Sequence, residues 1–211
     1  MLLIGICGAS GSGKSTLADG LREKLGDDHC VVLQQDVYYF DHPGLTFEER
    51  VELNYDEPSI FDHDLLLEDV QKLLEGKPIS RKRYDFANHR RSDIPGEMIY
   101  PKDVIILEGI HTFHDRRLQN LMYLKLYMKV DPDICLLRRI QRDIIERGRD
   151  IEGISHQYLG SVRPMYEKYI SHYVRDADVI VANGGKNARI VDILSGYVRD
   201  ALKNGDNSGS R

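Results

Sequence analysis

The clearest chemistry in the chain sits near its start, in Gly8-Ala9-Ser10-Gly11-Ser12-Gly13-Lys14-Ser15, followed by Thr16. The spacing G-x-x-x-x-G-K-[ST] is that of a loop built for phosphate. Glycines let the backbone curl so that its N–H groups point inward at phosphate oxygens. The helix that opens behind the loop adds the positive end of its dipole. Lys14 is placed to reach the β and γ phosphates of a nucleotide, and Ser15 to bind Mg²⁺. A second metal-side group is found further on. The apolar run Val104-Ile105-Ile106-Leu107 ends in Glu108-Gly109. A carboxylate at the end of a strand beside the phosphate loop can hold Mg²⁺ through a water, or merely cap the next segment.

Phosphate binding alone does not define a reaction. No N-K-x-D motif for reading guanine is present, which argues against a GTPase switch. Transfer to a small acceptor requires a base near the acceptor hydroxyl and cations near the phosphates. Asp36 follows the second apolar run, in Gln35-Asp36-Val37-Tyr38-Tyr39, and is the candidate base. Its plain alternative is an Asp that turns the chain after a strand. Arg138, Arg139, Arg142, Arg147 and Arg149 form a candidate cationic lid, with Gly148 as a hinge. Asp143 lies four residues from both Arg139 and Arg147, so part of this run reads as an ion-paired helix surface.

These residues need a frame. The chain has 211 residues, 41% hydrophobic and 30% charged, with a net charge of −5. That suits one folded domain, excludes a wholly disordered chain and argues against a dedicated nucleic-acid binder. No apolar run approaches the ~20 residues that span a bilayer. Met1 to Cys7 lacks a basic leader, so a signal peptide is not expected. Cys7, Cys30 and Cys135 are odd in number and lack metal-ligand spacing, which predicts reduced, buried thiols in a cytoplasmic protein.

Apolar runs alternate with helical patterns, as in an α/β fold with a mostly parallel sheet. Strands are expected at Leu2–Cys7, Val31–Gln35, Val104–Leu107, Leu124–Val130 and Val179–Val181. Helices are expected around Leu17–Leu25, Asp62–Glu75, from Pro132 to Gly148, across Ile151–Tyr169 with a kink at Pro164, and around Ile190–Tyr197. Two polar connections, 36–61 and 77–102, are too long to be plain loops. The second is Arg-rich and predicts a hairpin. The stretch 204–211 reads as a disordered tail behind a single domain spanning 1–203.

Together these blocks resemble the uridine kinase (uridine–cytidine kinase) family of P-loop nucleoside kinases, related to phosphoribulokinase. The resemblance runs from Ile4 to about Leu202. It rests on the phosphate loop, Gln35-Asp36-Val37-Tyr38-Tyr39, Asn54-Tyr55-Asp56 with Phe61-Asp62, Tyr84-Asp85-Phe86 with His89 and Arg90, Glu108-Gly109-Ile110, Arg138 through Asp150, Gln157-Tyr158 and Ala177-Asp178-Val179-Ile180.

The resemblance implies a P-loop kinase fold of five strands with a small β-hairpin insertion and an Arg-rich lid at about 138–160. It implies transfer of the ATP γ-phosphate to the 5′-hydroxyl of uridine or cytidine, with Mg²⁺ as cofactor. Asp36 would be the base, and Lys14, Arg142 and Arg147 would meet the phosphates. Asp56 and Arg139 would hold the ribose. Tyr39, Tyr55, Tyr84, His89, Arg149 and Gln157 would line the nucleoside pocket, formed by 36–61 and 77–102. A homo-oligomer, tetrameric by resemblance, is implied as well. The family usually has His after the residue matching Asp56. Here Glu57 follows, then Pro58-Ser59-Ile60, and Arg81-Lys82-Arg83 precedes Tyr84. These departures keep open another acceptor, such as a sugar phosphate or a pantothenate-like alcohol. Glu57 itself leaves two readings open: a pair with a nearby arginine that restores the pocket by another route, or the mark of a different acceptor.

Overall fold

A computed structural model describes residues 1–204. The expected tail therefore lies almost wholly outside the described residues. Strands β1 (Leu2–Gly8), β2 (Cys30–Gln34), β5 (Val104–Gly109), β6 (Leu124–Lys129) and β7 (Val179–Ala182) form one sheet in the order β2-β5-β1-β6-β7, with every pairing parallel. β1 and β5 are apolar and buried along nearly their whole length, as central strands covered on both faces must be. Strands β3 (Ile79–Asp85) and β4 (Arg90–Ile99) make the expected hairpin as a separate antiparallel pair.

Helix α1 (Lys14–Leu25) and helix α8 (Ala188–Lys203) cover one face of the sheet. Leu17, Leu21 and Val198 are fully buried there against Ile4, Ile6 and Leu126. Helix α3 (His63–Leu74) covers the other face with Leu66, Val70 and Leu73. Asp62 caps α3 by accepting the Leu65 N–H. Gly26 ends α1 at φ 98°, a backbone state glycine adopts readily.

The long connections and one expected helix take these forms. The segment 36–61 carries a 3₁₀ turn (Gln35–Tyr38), a short helix α2 (Phe47–Val51) and a second 3₁₀ turn (Pro58–Ile60), closed at its base by a bridge between Tyr39 and Phe61. The strand before Asp36 is not next to β1, because β5 lies between them. Ile151–Tyr169 is not one helix. Helix α6 (Ile151–Gln157), a π turn (Tyr158–Val162) and helix α7 (Arg163–Lys168) follow one another. Pro164 lacks the N–H that an unbroken helix would need, and the widened turn precedes it. Ile151, Ile193 and Tyr197 are exposed. In α8 the buried side is Val191, Leu194 and Val198 instead, while Tyr197 stacks on Tyr123. Short helix α4 (Arg116–Gln119) follows β5, and a 3₁₀ turn (Ile170–Asp176) leads to β7.

Helix α5 (Pro132–Arg147) buries Cys135, Arg139 and Asp143. These are four apart and share one face, so the buried stripe of this helix is partly ionic. That stripe is turned toward the carboxyl ends of the strands.

Candidate active site

The phosphate loop leaves β1 and enters α1, with Gly13 at φ 92° as the residue before the helix. A Cβ on Gly11, at φ 80°, would run into the Cys135 carbonyl oxygen. The loop is thus packed directly on α5. A Cβ on Gly185, just after β7, would meet Leu17 N at 2.6 Å. This second glycine-lined approach carries no signal in the sequence beyond the pair Gly184-Gly185.

Side chains around the loop are arranged for anions and a hard cation. Lys14 is buried, and its Nζ donates to the Ala9 carbonyl at 3.0 Å. Ser12 Oγ is buried without a hydrogen-bond partner. Ser15 Oγ donates to Glu108 Oε1 at 2.8 Å. Burial pushes the Glu108 carboxyl up, against the opposing pull of Lys14. A hydroxyl and a carboxylate side by side at the start of α1 are the hard oxygen donors that Mg²⁺ takes, and it keeps waters and phosphates for the rest of its shell. No cluster of three or more His, Cys, Asp or Glu suited to a metal occurs among the described residues.

Above the loop lies a cleft. It is lined by Asp36, Tyr39, Tyr55, Asp56, Tyr84, His89, Arg139, Arg142, Arg147, Arg149 and Gln157, together with Ser10, Phe86 and Ile110. Every acceptor-side residue singled out from the sequence converges here. Asp36 reaches the cleft from the 3₁₀ turn after β2, which carries it past the end of β5.

The aromatic wall is built by 36–61 and the hairpin. Tyr39 stacks on Phe61 at 4.4 Å and meets Tyr55 edge-on at 5.2 Å. Tyr55 stacks on His89 at 4.6 Å. His89 holds φ 51°, uncommon for a residue with a Cβ, and its buried Nδ1 has no partner. Burial, reinforced by Arg149 and Arg50, pushes the His89 imidazole below its usual range, so it is neutral near pH 7. Asp56 is buried opposite, with Oδ2 accepting from Ser161 Oγ at 2.9 Å. Burial raises its carboxyl, and Arg139 pulls the other way.

The arginines join the two halves. Arg139 donates Nη1 to Ser10 Oγ at 3.0 Å and Nη2 to Gln157 Oε1 at 2.8 Å. Arg149 donates to the same Gln157 oxygen at 2.7 Å. Arg142 reaches Ser10 Oγ at 3.5 Å, and Arg147 lies over the Phe86 ring at 4.4 Å. Arg138 is set apart, near the Gly11 carbonyl at 3.5 Å.

Asp143 is the main site residue that spacing misread. It is fully buried, and its carboxylate faces Arg142 at 2.8 Å, Arg149 at 3.3 Å, and Arg139 and Arg147 at 3.6 Å. The i±4 pattern found two of these partners but placed them on a solvated surface. The helix face they share points inward.

The departures around the acceptor residues fall outside the cleft. Arg81 pairs with Glu97 in the exposed hairpin. Lys82 is buried against Asp69, which also accepts from Tyr38 Oη at 3.0 Å. Arg83 is exposed. Glu57 makes no ion pair with an arginine among the described residues. Cys7, Cys30 and Cys135 are all free and buried, as expected.

A family model described as "Phosphoribulokinase / Uridine kinase family" matches residues 3–189. A protein named uridine kinase from Geobacillus kaustophilus (strain HTA426) is 45% identical over 203 residues, covering 96% of this chain and 95% of its own. A uridine kinase from Vibrio campbellii (strain ATCC BAA-1116) is 45% identical over 206 residues, covering 96% of each. A solved structure titled "Structure of a Possible Uridine Kinase from Bacillus stearothermophilus" superposes with a TM-score of 0.57 at 20% identity, over 85% of this chain and 87% of its own. It shares the fold.

Proposed function

This chain belongs to the phosphoribulokinase/uridine kinase family, and from that premise we propose that its cleft phosphorylates uridine with ATP as donor. It is a phosphotransferase with a hydroxyl acceptor. The observation that carries the reading is the convergence of Asp36, Asp56, Arg139, Arg149, Gln157, Tyr84 and His89 on one cleft whose floor is Ser10 of the phosphate loop.

In our reading Gly8 to Thr16 hold the triphosphate, with Lys14 on its outer phosphates. Ser15 and Glu108 would hold Mg²⁺, which neutralises phosphate charge when bound. Asp56 and Arg139 take the ribose hydroxyls. Tyr39 and Tyr55 pack against the nucleoside. Tyr84, His89, Arg149 and Gln157 face the pyrimidine edge. His89 is neutral and carries an unpartnered ring nitrogen, so it offers a hydrogen bond without a charge to desolvate. Asp36 accepts the proton of the attacking 5′-hydroxyl. Arg142 and Arg147 neutralise charge that builds on the transferred group.

The finer points belong to the same proposal. Cytidine serves as a second acceptor. Residues 1–203 act as one domain, with 36–61 and 77–102 as the acceptor insertion and 138–160 as the lid. The protein works in the cytoplasm as a homotetramer. Among the described residues no helix is long and apolar enough to cross a membrane. Glu57 and the Arg81-Lys82-Arg83 run do not line the cleft, which removes the reason for favouring an anionic acceptor.

The test is ADP release from Mg·ATP with uridine, cytidine, sugar phosphates and pantothenate in turn, with the product identified by mass. Release that requires uridine and yields its 5′-monophosphate is expected. Release only with a sugar phosphate or pantothenate would overturn the acceptor assignment.

A further inference from the structure

His111 lies two residues beyond the end of β5, outside the set of acceptor-lining residues, and is fully buried. All of its polar groups are committed. Its backbone N–H donates to Gln35 Oε1 at 2.8 Å. Its Nε2 lies 2.8 Å from the Asp56 carbonyl oxygen, and its Nδ1 lies 3.0 Å from Tyr173 Oη. Gln35 immediately precedes the candidate base Asp36, and Asp56 is the candidate ribose ligand. One buried residue thus touches both turns that carry the acceptor-side carboxylates.

Proton counting fixes the direction of every bond in this chain. A carbonyl oxygen only accepts, so His111 Nε2 carries hydrogen. Burial drives the imidazole down to about 3, so the ring is neutral and Nδ1 is bare. Nδ1 then accepts the Tyr173 hydroxyl proton. His114 Nδ1, 3.2 Å from the same oxygen, must therefore donate to it. A second imidazole braces the same acceptor segment, because His63 Nε2 lies 2.9 Å from the Pro58 carbonyl. The run from His114 through Tyr173 and His111 to Asp56 is satisfied in one tautomeric arrangement.

We propose that His111 is a positioning residue that straps the Asp36 turn to the Asp56 turn, with Tyr173 and His114 satisfying the ring nitrogen on its far side. It touches neither donor nor acceptor. It holds the Asp56 main chain so that the carboxylate stays within reach of Ser161 and the Arg139 side of the cleft. The proposal rests on reading the cleft as the acceptor site.

Two variants and one spectrum test it. His111→Phe keeps a ring that suits neighbours Phe61, Tyr169 and Tyr173 but removes both ring bonds. His111→Gln places an amide N–H near the Nε2 position and preserves the bond to Asp56. An unpartnered buried carbonyl makes the Phe variant's acceptor KM rise about ten- to a hundredfold, with the ATP KM unchanged. The Gln variant is expected within about threefold of wild type, since a hydrogen bond to a carbonyl is replaced by another of similar worth. Equal effects in both variants, parallel changes in both KM values, or a Phe variant with lowered stability and unchanged acceptor KM would each overturn the strap.

The ¹⁵N shifts of the His111 ring in the wild-type protein provide a readout that needs no acceptor. The Nε2–H tautomer is expected in the wild type and in Tyr173→Phe, since the Asp56 carbonyl fixes it in both. A wild-type Nδ1–H tautomer overturns the proposal outright. Failure of uridine as substrate would leave this readout decisive, so the two readings fail separately.

Discussion

Replacing Asp143 by Asn keeps the side chain's shape and deletes its charge, leaving Arg139, Arg142, Arg147 and Arg149 to face one another. Burial alone would raise this carboxyl, but Arg142, Arg139 and Arg147 together hold it below the usual carboxylate range. Removing one partner from a buried ion pair ordinarily costs about 3–5 kcal/mol. Here the side chains of Arg142, Arg147 and Arg149 keep 31%, 19% and 24% exposure, so water screens part of the loss. About 3 kcal/mol is therefore expected. That is a sizeable share of the ~5–15 kcal/mol that folds a domain. At about 2–4 °C per kcal/mol for a chain of this size, the thermal midpoint falls by about 6–12 °C.

The pH dependence of the difference carries the sharper test. A carboxylate whose folded pKa is depressed stabilises fully above its unfolded value, near ~3.9 for Asp, and loses that contribution as pH falls through the folded pKa. Urea titrations of wild type and Asp143→Asn should thus differ by a constant amount from pH 8 to pH 5. The gap should close below pH 4. Turnover should fall too, because Arg142 and Arg147 lose the group that holds them over the cleft. A gap under 1 kcal/mol at pH 7, or one that persists unchanged at pH 3, would refute the view that Asp143 organises the arginines.

Three further outcomes are expected. Asp36→Asn should lower kcat by about 10²–10⁴, the usual worth of a general base, while ATP binding by calorimetry is retained. Gly11→Ala should abolish ATP binding, since its Cβ collides with the Cys135 carbonyl at φ 80°; folding is followed by circular dichroism. Lys82→Ala should cost about 2–4 kcal/mol in urea unfolding by leaving Asp69 buried with only Tyr38 as partner, whereas Arg83→Ala should change neither stability nor acceptor KM.

Much of this architecture was legible because local signals and global fold agree. The run Leu2–Cys7, the loop Gly8–Ser15 and the leucines of α1 each have a period or spacing that only one element satisfies. What escaped reading depends on contacts between distant elements. Asp143 looked like surface because i±4 spacing reports a partner and says nothing about which side of the helix meets solvent. His111 gave no signal at all, since its three partners Gln35, Asp56 and Tyr173 are brought together only by the crossover order of the sheet. The π turn at Tyr158–Val162 was announced by Pro164, but only as a break of unknown kind.

The same distinction explains why unusual residues near a motif need not alter its chemistry. Arg81, Lys82 and Arg83 sit immediately before Tyr84, yet alternation along β3 sends neighbouring side chains to opposite faces. Tyr84 enters the cleft, and Lys82, on its face but two residues back, is used up by Asp69 of α3. Arg81 and Arg83 project to the other side. A cation count in sequence therefore overstated the positive charge available to an acceptor. The charge that does face the cleft comes from α5 and the residues just after it, and Asp143 has already compensated part of it. An acceptor bearing its own phosphate would have to compete with that buried carboxylate, whereas a neutral nucleoside leaves the arrangement intact.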